Sequence, residues 1–182
     1  MANITLAVTG SISAYKAADL TSQLTKLGHK VTVLMSRSAM DFITPLTLQS
    51  LSKNLVHTDV MVEEDPSLIK HIDIAKETDL FLVAPASANT IAKLAHGMAD
   101  NIVTATALAL PIGIPKLIAP AMNTNMYLNP ATQKNLNTLE EYGFDEVKPR
   151  VALLACGDFG TGALAEVTDI LEKVSNTLDE KK

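Results

Sequence analysis

The sequence contains no tryptophan and a single cysteine, Cys156, among 182 residues. One thiol excludes an intrachain disulfide and any zinc site built from cysteines, since both need more sulfur than the chain has. No metal site is expected. Aromatic residues make up only 4%, so the core has to be filled by Ala, Val, Ile and Leu, the usual contents of a sheet covered by helices on both faces. Positive charge is also scarce. A formal net charge of −5 leaves no field to neutralise a phosphate backbone and argues against a nucleic-acid partner. A small molecule is the expected ligand. The N-terminal MANITLAVTG has no basic segment ahead of an apolar one and no cleavage pattern, so neither a signal nor a transit peptide is expected, and a reducing, cytoplasmic setting fits the lone thiol.

A membrane span is excluded by a second kind of interruption. Residues 102–122 are almost continuously apolar, but Pro111, Gly113, Pro115 and Pro120 break the run and Lys116 sits inside it. It reads as a small-residue helix, a turn and a strand. That helix, with Thr104, Ala105, Ala107, Leu108 and Ala109, suits a packed subunit interface or plain core burial.

What is present is alternation. Residues 4–9 form a run of β-formers closed by Gly10 and read as a buried strand. Ala17, Leu20, Leu24 and Leu27 then recur at helical spacing, with Gly28 where a C-terminal cap belongs, and residues 31–35 make a second strand. This is a βαβ unit, whose strands are parallel and whose crossover is right-handed. Strands over 80–84 and 116–119 lead towards helices over 90–94 and 132–142. Residues 145–149 are a weaker strand, and 164–178 read as a final amphipathic helix with a charged tail ending in Lys182. One domain over 1–182 is predicted, with an α/β fold: a Rossmann-like (flavodoxin-like) three-layer sandwich with a central parallel sheet.

In such sheets the ligand sits outside the carboxyl ends of the strands, so the loops starting at Gly10, Ser36, Pro85 and Pro120 are predicted to converge. Gly10, Ser11, Ile12 and Ser13 join a strand to a helix N-terminus, where free N–H groups favour an anion; alternatively Gly10 only makes the turn and Ser13 only caps the helix. The dinucleotide fingerprint needs two further glycines and an acid after the second strand. Ser36 stands in place of that acid, and its hydroxyl can donate to a mononucleotide phosphate. The loop Pro85, Ala86, Ser87, Ala88, Asn89, Thr90 lets a planar ring approach, although it also reads as an ordinary turn with an N-cap. Residues 120–127, PAMNTNMY, set two methionines beside amides; Asn123 can offer its NH₂ to a carboxylate or act as a plain turn residue. His71 precedes a strand in a polar setting, and His29, His57 and His96 have no better case for chemistry. Residues 155–162 place Cys156 among three glycines, either as a small buried thiol or on a flap over a cleft.

Together, PASANT, PAMNTNMY, the His71-Ile72 pair and ACGDFGTGALAE over 155–166 resemble the homo-oligomeric flavin-containing cysteine decarboxylases, across residues 4–166. By that resemblance the cofactor is FMN. Gly10, Ser11, Ile12 and Ser36 would hold its phosphate side, and Ser87, Ala88, Asn89, Thr90 and Ala121 would line the rest. His71 and Cys156 would be catalytic, the thiol as the acid on the flap, while Asn123 and Met126 would contact the substrate. The substrate implied is phosphopantothenoylcysteine of coenzyme A biosynthesis, and the assembly implied is a homotrimer or a dodecamer. Two departures stand out: Tyr127 replaces a frequent Trp, and the ligase-type domain fused to many bacterial members is not in this sequence. Peptide-cysteine decarboxylation is disfavoured by Cys156, a phosphatase-regulatory role by the lack of long acidic extensions, and flavin prenyl transfer by the PAMNTNMY and ACGD segments.

Overall fold

Residues 1–62 and 69–180 are described by the computed structural model. The elements run β1 (Asn3–Val8), α1 (Lys16–Lys26), β2 (Lys30–Met35), α2 (Pro45–Ser52), β3 (Val56–His57), α3 (Lys70–Glu77), β4 (Leu80–Ala86) and α4 (Ala88–Ala95). They continue with α5 (Ile102–Ala109), β5 (Lys116–Pro120), α6 (Thr124–Leu128), α7 (Pro130–Glu141), β6 (Phe144–Glu146), β7 (Arg150–Leu153), β8 (Phe159–Ala163) and α8 (Val167–Asp179). Six strands form one sheet in the order β3-β2-β1-β4-β5-β6, and every pairing in it is parallel. The predicted α/β class holds, and the order is the Rossmann 3-2-1-4-5-6 rather than flavodoxin's 2-1-3-4-5.

Both faces of the sheet are buried, which is why its strands are apolar throughout rather than alternating with polar residues. On one face Ile4, Leu6, Val8, Leu80 and Leu82 pack under Leu20, Leu24, Leu48, Ile170 and Val174. On the other, Ala7, Phe81, Val83 and Ile118 meet Ile91, Ile102, Leu136 and Leu139. Each fully buried Leu, Ile or Phe contributes roughly 1.5–3 kcal/mol from leaving water. The apolar stretch divides as predicted into α5, a turn and β5.

Three segments differ from the sequence reading. The last helix starts at Val167, because residues before it are extended: Glu166 has ψ 148 and the Leu164 carbonyl accepts a bond from Arg150 Nε at 3.0 Å. The glycine-rich segment is the turn of an antiparallel hairpin, β7 with β8, and not an unsupported flap. The strand expected over 145–149 is confined to β6. Helices α2 and α3 carry no long apolar periodicity and were not foreseen. Lys182, at the end of the predicted tail, lies outside the described residues.

Candidate active site

The order reverses between β1 and β4, so the chain leaves these adjacent strands towards opposite sides and opens a crevice at their carboxyl ends. A cleft of about 430 Å³ lies there. Its floor is the loop after β1, its walls are the starts of α4 and α6, and its outer edge is the β7–β8 hairpin.

Gly10, Ser11 and Ile12 line the cleft as predicted. Ser11 caps a short 3-10 turn, Ile12–Tyr15, by accepting from the Ser13 N–H at 3.3 Å. The N–H groups of Gly10, Ser11 and Ile12 meet no acceptor among the described residues. Gly10 is required by close approach, since a Cβ there would stand 2.5 Å from Ser38 Cβ in the turn after β2. This is the kind of backbone cradle that takes a phosphate.

Ser36 does not line the cleft. It caps the turn Arg37–Asp41, its Oγ accepting from the Ala39 N–H at 3.3 Å, and its hydroxyl hydrogen is engaged by none of the described residues. Ser87 and Ala88 are in the cleft wall. Asn89 is exposed and Thr90 is buried, both in the first turn of α4 and off the cleft surface. Thr90 instead supports Ser87, whose Oγ accepts from the Thr90 N–H and donates to Thr90 Oγ1. Ala121, Asn123 and Met126 all line the cleft, with Ala121 buried and Met126 half exposed.

Cys156 reaches the same cleft from the hairpin turn. Asn123 Nδ2 donates to its Sγ at 3.3 Å, so the two residues that sequence separated by 33 positions are in contact. The hairpin is anchored at its base, where the Met122 N–H donates to the Gly162 carbonyl at 2.9 Å, and Gly160 lies flat on Thr124 with no space for a side chain. His71 is not brought to this group. It sits in the first turn of α3, outside the cleft lining, with Nδ1 buried and without a hydrogen-bond partner among the described residues.

Three contributors had escaped the sequence reading. Thr9 is fully buried, donates from Oγ1 to the Pro85 carbonyl at 2.7 Å and accepts from the Ser87 N–H at 2.8 Å, tying the β1 and β4 loops together. Lys16 and Arg150 both line the cleft, and both bond Glu166, at 3.5 and 2.8 Å. Two cations on one carboxylate leave a net positive edge. Lys16, just beyond the phosphate-type loop, was a readable signal; Arg150 was not, because only the hairpin brings it there. A larger hollow of about 610 Å³ lies at the start of β5. Among the described residues its lining has one lysine, Lys116, which donates to the Tyr142 carbonyl and whose pKa burial lowers, and no acid–base pair.

Residues 1–179 match the model of a family described as Flavoprotein. A probable phosphopantothenoylcysteine decarboxylase of Streptococcus mutans is 61% identical over 96% of this chain and 98% of its own. The coenzyme A biosynthesis bifunctional protein CoaBC of Bacillus subtilis is 46% identical over 93% of this chain, which spans only 41% of that longer protein. Among solved structures, a cysteine-to-serine mutant of PPC decarboxylase complexed with pantothenoylaminoethenethiol superposes with a TM-score of 0.88, at 31% identity over 98% of both chains. The FMN binding protein AtHal3 superposes with a TM-score of 0.85, also at 31% identity, over 98% of this chain and 97% of that one.

Proposed function

The chain belongs to the flavoprotein family, and on that premise we propose that it is an FMN-dependent phosphopantothenoylcysteine decarboxylase serving coenzyme A biosynthesis. Residues 1–182 form one flavoprotein unit, working in the cytoplasm as a homo-oligomer, a trimer or a dodecamer. The observation that carries the reading is the meeting of the Asn123 amide and the Cys156 thiol at the mouth of a switch-point cleft.

The residues present fit the cofactor. Gly10, Ser11 and Ile12 offer free N–H groups to its phosphate, with the Ser36 hydroxyl nearby in the adjoining turn. Ser87, Ala88 and Ala121 leave flat space for its ring, with Asn89 and Thr90 completing the α4 turn. Bound flavin supplies a reversible hydride acceptor, without which the carbanion left by CO₂ loss beside an amide nitrogen has no electron sink.

The protein's own groups do the rest. Asn123 holds the substrate carboxylate without burying a counter-charge, and Met126 packs beside it. Lys16 and Arg150 suit the phosphate end, as charge-assisted donors. After decarboxylation the Cys156 thiol gives its proton to the enethiolate, a general-acid step of the kind typically worth about 10²–10⁴-fold. His71 is the base. Standing off the cleft of its own chain, with a buried Nδ1 that has no partner among the described residues, it fits service at the cleft of a neighbouring copy. The exposed Leu108 and Ile112 beyond the buried part of α5 suit such an assembly.

The test mixes the yellow protein, and separately Cys156→Ser, with phosphopantothenoylcysteine while flavin absorbance and product mass are followed. Wild type is expected to yield phosphopantetheine with oxidised flavin, and the variant to accumulate the enethiol with flavin bleached. Absence of bleaching and turnover with this substrate, but not with a peptide ending in cysteine, overturns the substrate assignment.

A further inference from the structure

The turn that carries Cys156 also carries a carboxylate to which the reaction above gives no task. Asn123, Cys156 and Asp158 close a triangle of side chains. The Cys156 thiol donates to Asp158 Oδ2 at 3.3 Å. Asn123 Nδ2 donates to the same oxygen at 3.1 Å and to Cys156 Sγ at 3.3 Å.

Both ends of the triangle are anchored independently. Asn123 Oδ1 accepts from the Asn125 N–H at 2.8 Å, which fixes the amide so that its NH₂ faces the hairpin. On the hairpin, the Leu154 N–H donates to the Asp158 carbonyl at 2.8 Å and the Gly157 N–H to the Leu154 carbonyl at 2.9 Å. Gly157 supplies the positive φ of +89 that the turn requires. Backbone alone therefore closes the turn, and the exposed Asp158 side chain is not needed for it.

Resting on the decarboxylase reading, we propose that Asp158 is a positioning residue for the Cys156 proton. A thiol is a weak donor on a free rotor, and an ionised acceptor within reach fixes where sulfur and hydrogen lie. In the triangle both hydrogens of Asn123 Nδ2 are in use. A substrate carboxylate that takes one displaces either the thiol sulfur or Asp158 as acceptor, and in both cases the bond from the Cys156 thiol to Asp158 Oδ2 uses no Asn123 hydrogen and still holds the thiol. The proton step then balances. The Cys156 S–H bond breaks, and the enethiolate electron pair forms a C–H bond at the carbon that lost CO₂. The substrate C–S bond becomes C=S, and the negative charge passes to Cys156, which recovers its proton from water. Asp158 makes and breaks no covalent bond.

The holoenzyme, Asp158→Ala, Asp158→Asn and Cys156→Ser would be compared with phosphopantothenoylcysteine, reading flavin bleaching and the ratio of enethiol to phosphopantetheine by mass. Alkylation of the chain's one thiol by iodoacetamide, without substrate, is the readout independent of turnover. Asp158→Ala is expected still to bleach flavin at saturating substrate while the enethiol fraction rises on the order of tenfold, the size of one charge-assisted hydrogen bond. Its thiol is expected to alkylate several-fold faster. Asp158→Asn keeps an oxygen acceptor and should recover most of the wild-type ratio and alkylation rate. Wild-type partition in Asp158→Ala, or an unchanged alkylation rate whatever its turnover, overturns the proposal. Wild-type partition in Cys156→Ser instead overturns the acid assignment on which it rests.

Discussion

The Met122 carbonyl oxygen occupies the place a side chain on Gly162 would need: a Cβ there would stand 2.2 Å from it. The Met122 N–H meanwhile bonds the Gly162 carbonyl at 2.9 Å, and Gly162 has φ +145. This contact seats the hairpin, and with it Cys156, on the β5–α6 loop. Gly162→Ala is therefore expected to cost about 1–3 kcal/mol through backbone strain and displacement. Thermal melting measures the loss, and product mass should show enethiol release as Cys156 is carried off the cleft. A variant that melts with wild type and makes only phosphopantetheine would show that the seat is dispensable.

Thr9 joins the two loops on either side of the crevice. Thr9→Val keeps the shape but leaves the Ser87 N–H without its acceptor, a loss of about 1–3 kcal/mol. Flavin retention should fall with it, read as a weaker dissociation constant in fluorescence titration of the apoprotein. Equal affinity for both proteins would place the cofactor elsewhere.

Lys16 and Arg150 share Glu166 at the positive edge of the cleft. If they face the phosphate end of the substrate, Lys16→Gln should raise KM for phosphopantothenoylcysteine by about tenfold, the worth of one charge-assisted contact. The dephosphorylated substrate should show no such change. An equal rise for both substrates would assign Lys16 to the cofactor side.

Tyr127 is 9% exposed and donates from its hydroxyl to Glu146 Oε1 at 2.9 Å. Burial first, and then that carboxylate, push its pKa up to about 12. The folded state thus holds the phenol proton more tightly than the unfolded chain, whose tyrosine titrates near pH 10. The resulting stability is fully present below about pH 10 and is lost as pH rises towards 12, at no more than about 1.4 kcal/mol per pH unit. Urea midpoints measured across this window should fall in wild type and fall less in Tyr127→Phe. Parallel curves would remove Tyr127 from the alkaline transition.

Much was legible in the sequence because its causes are local. Val, Ile and Leu runs ended by Gly10, or by the residues leading into Pro85, announce buried parallel strands, and an N-cap in the Pro85 loop announces the helix that follows; in the first loop the expected cap is Ser13, whereas Ser11 holds it and accepts from the Ser13 N–H. Of the four strand-end loops expected to converge, those starting at Gly10, Pro85 and Pro120 line one crevice and the one starting at Ser36 does not, while the one thiol marks the hairpin at its edge. Cleft residues such as Gly10, Ser87 and Asn123 were found because turn chemistry betrays them.

Other features depend on contacts across many positions, which one chain read in order does not display. The strand order places β1 beside β4 and so opens the crevice between them. The β7–β8 hairpin delivers Arg150 and sets Asp158 against Asn123 and Cys156, and packing of α3 leaves His71 off its own chain's cleft. Local composition decides which elements form, because a strand or a cap is stabilised by its near neighbours. Only the tertiary structure decides which side chains meet, because a 3.3 Å contact between residues 123 and 156 exists only once the sheet, the α6 loop and the hairpin are in place.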